Sequence, residues 1–168
     1  VGDGFDVALR IAVLPDSSLV ARRLAPVDRF ILAAPAYLKQ YGVPEHPREL
    51  MAHHCLGYAY RARQDVWRLR NSEGKEEVIS PSGSLRATNS QALVPMALRG
   101  LGIIELPEFL AHDYLVDGQL TPILPDWTLP TGALYFVTPS ARSRPAKVEV
   151  LADFMMARLS NPVWRRRN

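Results

Sequence analysis

LRATNSQALVPMALRGLGIIELP, residues 85–107, reads as a strand, a helix and a second strand. Leu85 to Thr88 closes the first strand. Thr88, Asn89 and Ser90 then bring three side chains that accept hydrogen bonds from the free N–H groups of a helix start. Ala92, Leu93, Met96 and Ala97 recur at helical spacing and predict one apolar face. Gly100 follows Arg99 and supplies the left-handed residue on which helices commonly end. Leu101-Gly102-Ile103-Ile104 is a short apolar run of the kind that fills a buried parallel strand. Pro95 removes one helical hydrogen bond, so the helix is either kinked there or begins after Ser90. A strand feeding a helix start is also where open α/β sheets bind anions and small ligands. Thr88, Asn89 and Ser90 are therefore read as lining a ligand crevice; the alternative is that they only cap the helix.

The 168 residues allow one domain or two small ones. A hydrophobic content of 48% and a charged content of 22% are those of an ordinary globular chain. The formal net charge of +3 permits an anionic partner without requiring nucleic acid. Cys55 is the single cysteine, so no internal disulfide forms and an oxidising compartment is not indicated. It is expected at the start of a buried strand, in preference to a role as nucleophile or metal ligand. No run of about 18 apolar residues occurs, and no membrane span is expected. The chain opens on Val1 with neither an initiator methionine nor a charged-then-apolar leader, which reads as a piece of a longer protein.

Outward from the central stretch, Phe5–Ala12 predicts a strand with Phe5, Val7, Leu9 and Ile11 on one face, set in a parallel sheet. Val1–Gly4 reads as a turn before it. Leu14–Ser18 is a loop at its carboxyl end, near Arg10, facing a possible ligand site. Leu19–Ala34 is long and extended, with Pro26 inside it. It reads as chain leaving one sheet for another, with a hinge near Pro26 and Asp28. Pro35–Gly42 and His46–Met51 are helical turns with a proline near each start. Cys55–Tyr60 is a strand, and Val66–Ile79 a hairpin turning at Asn71–Gly74. Glu108–Leu115 is a helix closed by Gly118; Leu120–Leu124 is a strand broken by Pro122; Leu134–Thr138 is a return strand. The last helix has Ser143 as its cap and an apolar stripe of Val148, Leu151, Ala152, Met155 and Leu159. Arg165–Arg167 reads as a solvated tail.

Reaction machinery is not visible. There is no Walker-type phosphate loop, GxSxG elbow, HExxH or CxxC. His46, His53 and His54 cluster and His112 stands apart, without cysteine or acidic partners at zinc spacing. Glu105 is the one acid beside the expected crevice. It either orients a polar ligand or makes an ion pair at a sheet edge. The expectation is binding without catalytic residues, metal or cofactor.

Four blocks in consistent order, FDVALRIAVLPDSSLVARRLAP, PAYLKQYGVPEHPRELMAHHCLGY, ALRGLGIIELPEFL and LPDW, carry a resemblance. From Gly4 to about Leu159 the chain resembles the effector-binding domain of LysR-type bacterial transcriptional regulators. The resemblance implies an α/β fold of two Rossmann-like subdomains joined by two crossing strands, as in type 2 periplasmic solute-binding proteins. Residues 1–27 with 138–168 would form subdomain I, lacking its N-terminal part, and 28–137 subdomain II. It implies a sensor of a small effector, often a carboxylate or aromatic metabolite, held between the subdomains. Promoter DNA would be bound by a separate winged helix-turn-helix that this fragment lacks. The effector-binding positions implied are Thr88, Asn89, Ser90, Arg10, Ile11, Ile104 and Glu105. A homodimer or tetramer, a cytoplasmic location, no membrane partner and no enzymatic activity follow from the same resemblance. The alternative is a free-standing solute-binding protein of this fold. A sheet edge left open by the truncation would invite association between copies.

Overall fold

Pro26 sits in the middle of an extended run whose two halves pair with different strands, so the run is divided between two sheets. A computed structural model describes residues 5–12, 21–59, 66–83, 85–138, 145–160, 162 and 164. In chain order the elements begin with β1 (Ala8–Ala12), β2 (Ala21–Val27), β3 (Arg29–Ala33), α1 (Pro35–Tyr41), a 3₁₀ turn (Pro47–Ala52) and β4 (Cys55–Tyr58). Next come β5 (Trp67–Asn71), β6 (Glu76–Ile79), β7 (Arg86–Ala87), α2 (Ser90–Leu98) and β8 (Ile103–Pro107). The last are α3 (Glu108–Val116), β9 (Thr121–Pro122), β10 (Trp127–Thr128), β11 (Gly132–Val137) and α4 (Ala146–Leu159). The chain divides into two compact units, Val1–Asp28 with Thr131–Asn168, and Arg29–Pro130. The strand β11 falls within the unit of Val1–Asp28 and Thr131–Asn168.

The first unit holds a three-stranded sheet ordered β1-β11-β2, antiparallel throughout. The parallel setting expected for Phe5–Ala12 is not found, because its neighbour is the return strand β11, running the other way. Helix α4 lays Val148 and Ala152 on Leu24 and Phe136, with Met155, Met156 and Leu159 at the margin. Leu151 is 44% exposed and lies off this stripe; Met156 occupies the flank instead. Leu9 and Ile11 stand opposite Phe136 and Leu134, so they share the face that α4 covers. They are nevertheless 53% and 46% exposed, because α4 packs over β2 and β11 and not over β1. Of the apolar face expected on β1, only Val7 reaches the core. The turn at Val1–Gly4, the loop Leu14–Ser18, the Ser143 cap and the Arg165–Arg167 tail lie outside the described residues.

The second unit holds a mixed sheet ordered β7-β4-β8-β3-β9 and a smaller sheet ordered β10-β5-β6. Strands β7 and β8 both run parallel to β4, and β3 runs antiparallel to β8. Alternation along the strands sends successive residues to opposite faces. Ile103, Cys55, Ile31 and Ala33 face one core with Tyr37 of α1, Leu50 of the 3₁₀ turn, and Trp67, Leu69 and Ile79 of the hairpin. Ile104, Leu56 and Leu32 face the other, under Leu93, Val94 and Ala97 of α2 and Ala111 of α3. This two-sided burial is why Ile103, Ile104 and Leu106 of β8 are all apolar, Glu105 being the exception. Pro122 is tolerated because β9 is an edge strand.

Helix α2 begins at Ser90, not later, and continues through Pro95 to Leu98. Its buried residues are Leu93, Val94 and Ala97; Ala92 and Met96, expected on that face, are exposed one step around the helix. The helix ends in a Schellman motif. Gly100 N–H donates to the Ala97 carbonyl at 2.9 Å and Leu101 N–H to that of Met96 at 3.1 Å. Gly100 has φ +73, where a Cβ costs about 1–2 kcal/mol. The nearest atom to an added Cβ would be the Tyr37 backbone nitrogen at 3.5 Å, so the cost is conformational and not a clash.

Replacing Gly100 by valine is expected to destabilise the chain by about 1–2 kcal/mol, and alanine to do nearly as much. Unchanged melting temperatures in calorimetry would refute the left-handed cap as a stabilising feature. The edge of β1, with Phe5, Leu9 and Ile11 uncovered, predicts concentration-dependent self-association of this chain. Light scattering should show species above the monomer mass, reduced in the double variant Leu9→Glu with Ile11→Glu. A monomer at every concentration would refute it.

Candidate functional site

Strands β4, β7 and β8 are mutually parallel, so their carboxyl ends share one end of the larger sheet. The β7–α2 junction lies at that end. Thr88 and Asn89 are exposed there and Ser90 is half-buried. Asn89 is the helix cap: its Oδ1 accepts from Gln91 N–H at 2.9 Å, and its carbonyl accepts from Ala92 N–H at 3.1 Å. The Thr88 and Ser90 hydroxyls have no hydrogen-bond partner among the described residues. Two free hydroxyls beside the positive end of a helix suit an anionic or polar oxygen.

The remaining residues singled out from the sequence fall elsewhere. Ile104 is fully buried between the sheet and α2, so its side chain is a packing residue that offers nothing to a ligand. Glu105 is on the opposite face of β8, and the Arg29 guanidinium pairs with its carboxylate. Their side chains are 16% and 11% exposed, so the pair is sheltered, and β8 is a central strand and not an edge. Arg29 was not singled out from the sequence. The two residues are 76 positions apart, and only the antiparallel register Ile31↔Glu105 brings Arg29 diagonally across from the acid. Arg10 and Ile11 lie in the first unit, exposed on β1, and the loop after them is outside the described residues.

Three histidines that cluster in sequence are parts of the scaffold. The Tyr37 hydroxyl accepts from His54 N–H at 3.0 Å and meets His53 Nδ1 at 3.1 Å. Burial pushes the Tyr37 hydroxyl above its ordinary pKa, and burial pushes His53 below its own. His46 caps the 3₁₀ turn, its Nδ1 accepting from Arg48 N–H at 3.3 Å. Cys55 is buried, and its Sγ donates to the Leu50 carbonyl at 3.6 Å. Among the described residues no three His, Cys, Asp or Glu side chains gather as a metal site would require.

Like Glu108, Glu77 is a buried charged group of the second unit. It points inward beside Leu69, while its neighbour Val78 is 52% exposed. The inversion is compensated by cations: Arg48 Nε donates at 3.1 Å, with Lys75 Nζ at 3.8 Å and His46 Nε2 at 3.9 Å. The hydrogen bond from Arg48 holds the carboxyl below its ordinary pKa, against the opposing effect of burial. This cluster ties the hairpin to the 3₁₀ turn.

A layered α/β unit with an open polar helix start at the carboxyl ends of parallel strands belongs to the class that binds small molecules. The LysR substrate binding domain family matches residues 1–160, and the chain belongs to that family. The HTH-type transcriptional regulator CrgA of Neisseria meningitidis serogroup B is 32% identical over 160 residues, covering 93% of this chain and 52% of its own. The solved CrgA regulatory domain has a TM-score of 0.77 at 30% identity, over 92% of this chain and 75% of that one. The full-length structure of the Vibrio cholerae virulence activator AphB has a TM-score of 0.78 at 31% identity, over 91% of this chain and 51% of that one. The chain thus spans about half the length of the full-length relatives it matches. Its fold is that of the LysR regulatory domains, of the type 2 periplasmic-binding-protein kind, with two chain crossings at Asp28–Arg29 and Pro130–Thr131.

The Glu77 cluster has a predicted pH signature. A carboxyl with a lowered folded pKa contributes stability that is fully present above its unfolded value of 4.5 and is lost as pH falls through the folded value. Glu77→Gln is therefore expected to lower the melting temperature at pH 7, and the gap to the parent should close below pH 4.5. A gap independent of pH would refute an ionised role.

Proposed function

We propose that this chain is the effector-sensing part of a LysR-type transcriptional regulator. The observation that carries the reading is the family match over residues 1–160, in relatives that are HTH-type regulators about twice its length. Promoter DNA is contacted by a separate winged helix-turn-helix, and the effector is a small carboxylate or aromatic metabolite. The regulator works in the cytoplasm as a dimer or tetramer and carries out no reaction on what it binds. Among the described residues no helix is long and apolar enough to cross a membrane.

Thr88 and Ser90 hold a polar end of the effector with their free hydroxyls, and Asn89 fixes the helix start that presents them. Glu105 contributes through its pairing with Arg29, and Ile104 through packing alone. Arg10 and Ile11 are candidates by their exposure on β1.

A thermal-shift screen of carboxylates and aromatic acids identifies the effector. The double variant Thr88→Ala with Ser90→Ala is then expected to weaken binding on the order of tenfold or more, at ~1 kcal/mol for each hydrogen bond lost. Its melting temperature without effector should stay near that of the parent. Equal affinities by titration calorimetry would refute the site.

A further inference from the structure

The edge of the larger sheet carries a feature that the family reading does not use. Strand β4 donates Cys55 N–H to the Ser82 carbonyl at 3.2 Å and Gly57 N–H to the Leu85 carbonyl at 3.0 Å. Gly83 lies close against β4: a Cβ there would overlap the Cys55 carbonyl oxygen.

Beside Gly83 is a cavity of about 270 Å³, contained within the second unit. Ligand pockets usually measure about 300–1,000 Å³, so this one takes a compact molecule. Trp67, 1% exposed, is the apolar side chain on this face; Leu56 turns its own side chain to the core under α2. Ser80, Ser82 and Arg86 are the polar lining. Arg86 pairs across from Gly57, which places it on the cavity side of the sheet, opposite the face under α2. Among the described residues no carboxylate neutralises Arg86, and neither serine hydroxyl has a partner. None of the lining residues belongs to the Thr88–Ser90 junction.

We propose that this cavity is a second binding site, taking a small aromatic monocarboxylate. Arg86 receives the carboxylate as a charge-assisted hydrogen-bonded pair, the serine hydroxyls complete its shell, and the ring lies against Trp67. The site does not depend on effector binding at the β7–α2 junction.

Titration of the ¹⁵N-labelled chain with benzoate tests it. The expected result is saturable shifts at the Gly57 and Gly83 amides and at the Trp67 indole, with benzamide giving none. Arg86→Gln should weaken benzoate at least tenfold and Arg86→Lys less. Thr88→Ala with Ser90→Ala should leave these shifts unchanged. Shifts centred on the Gln91 amide would overturn the second site while leaving the effector reading intact. Equal binding in Arg86→Gln, or no saturable shift at Gly57, Gly83 and Trp67, would overturn it as well.

Discussion

Strand β8 is covered on both sides, and the second unit depends on that. Ile103 closes the core under α1 and the hairpin; Ile104 closes the core under α2 and α3; both are fully buried. Burying such a side chain contributes about 1.5–3 kcal/mol, and each contribution requires its own covering layer. The two layers are therefore coupled through one strand. A slip of one residue would exchange the cores and turn Glu105 toward α2. The slip is blocked from both flanks, by Leu56↔Ile104 on one side and Leu32↔Ile104 on the other.

That constraint explains what was legible in the sequence. The helix start at Asn89, the stop at Gly100 and the apolar run into β8 are local signals, and the structure has all three. Local spacing was a poorer guide to faces. Ala92 and Met96 satisfy the helical period as well as Val94 does, but α2 is rotated so that Leu93, Val94 and Ala97 meet the sheet. In β6 likewise the acid Glu77 is buried and Val78 exposed, because Arg48, from 29 residues away, supplies the charge that lets Glu77 face inward. The Arg29–Glu105 pair was illegible for the same reason: it exists only through the β3–β8 register.

The candidate site follows the same division. The sequence offered two readings of Thr88, Asn89 and Ser90, a helix cap or a ligand wall, and Asn89 takes the first of them. One carboxamide oxygen is enough to cap the helix, and Asn89 provides it. The neighbouring hydroxyls are then surplus to folding: neither has a partner among the described residues, and neither is buried. Polar side chains that a fold does not need, held at a helix start, are the groups most available to a ligand.

Such groups are useful only if they are held in place, and here the holding is one-sided. Strand β7 is two residues long and sits at the sheet edge, where Gly57 and Ala59 N–H donate to the Leu85 and Ala87 carbonyls. Helix α2, by contrast, is anchored by Leu93, Val94 and Ala97, all nearly or fully buried, and closed by the Schellman turn at Gly100. The orientation of Ser90 is thus set by the helix and its core, while Thr88 lies where the weaker edge strand ends. A ligand spanning both hydroxyls would bridge a well-anchored element and a lightly held one, and its binding free energy would act mainly on the strand end.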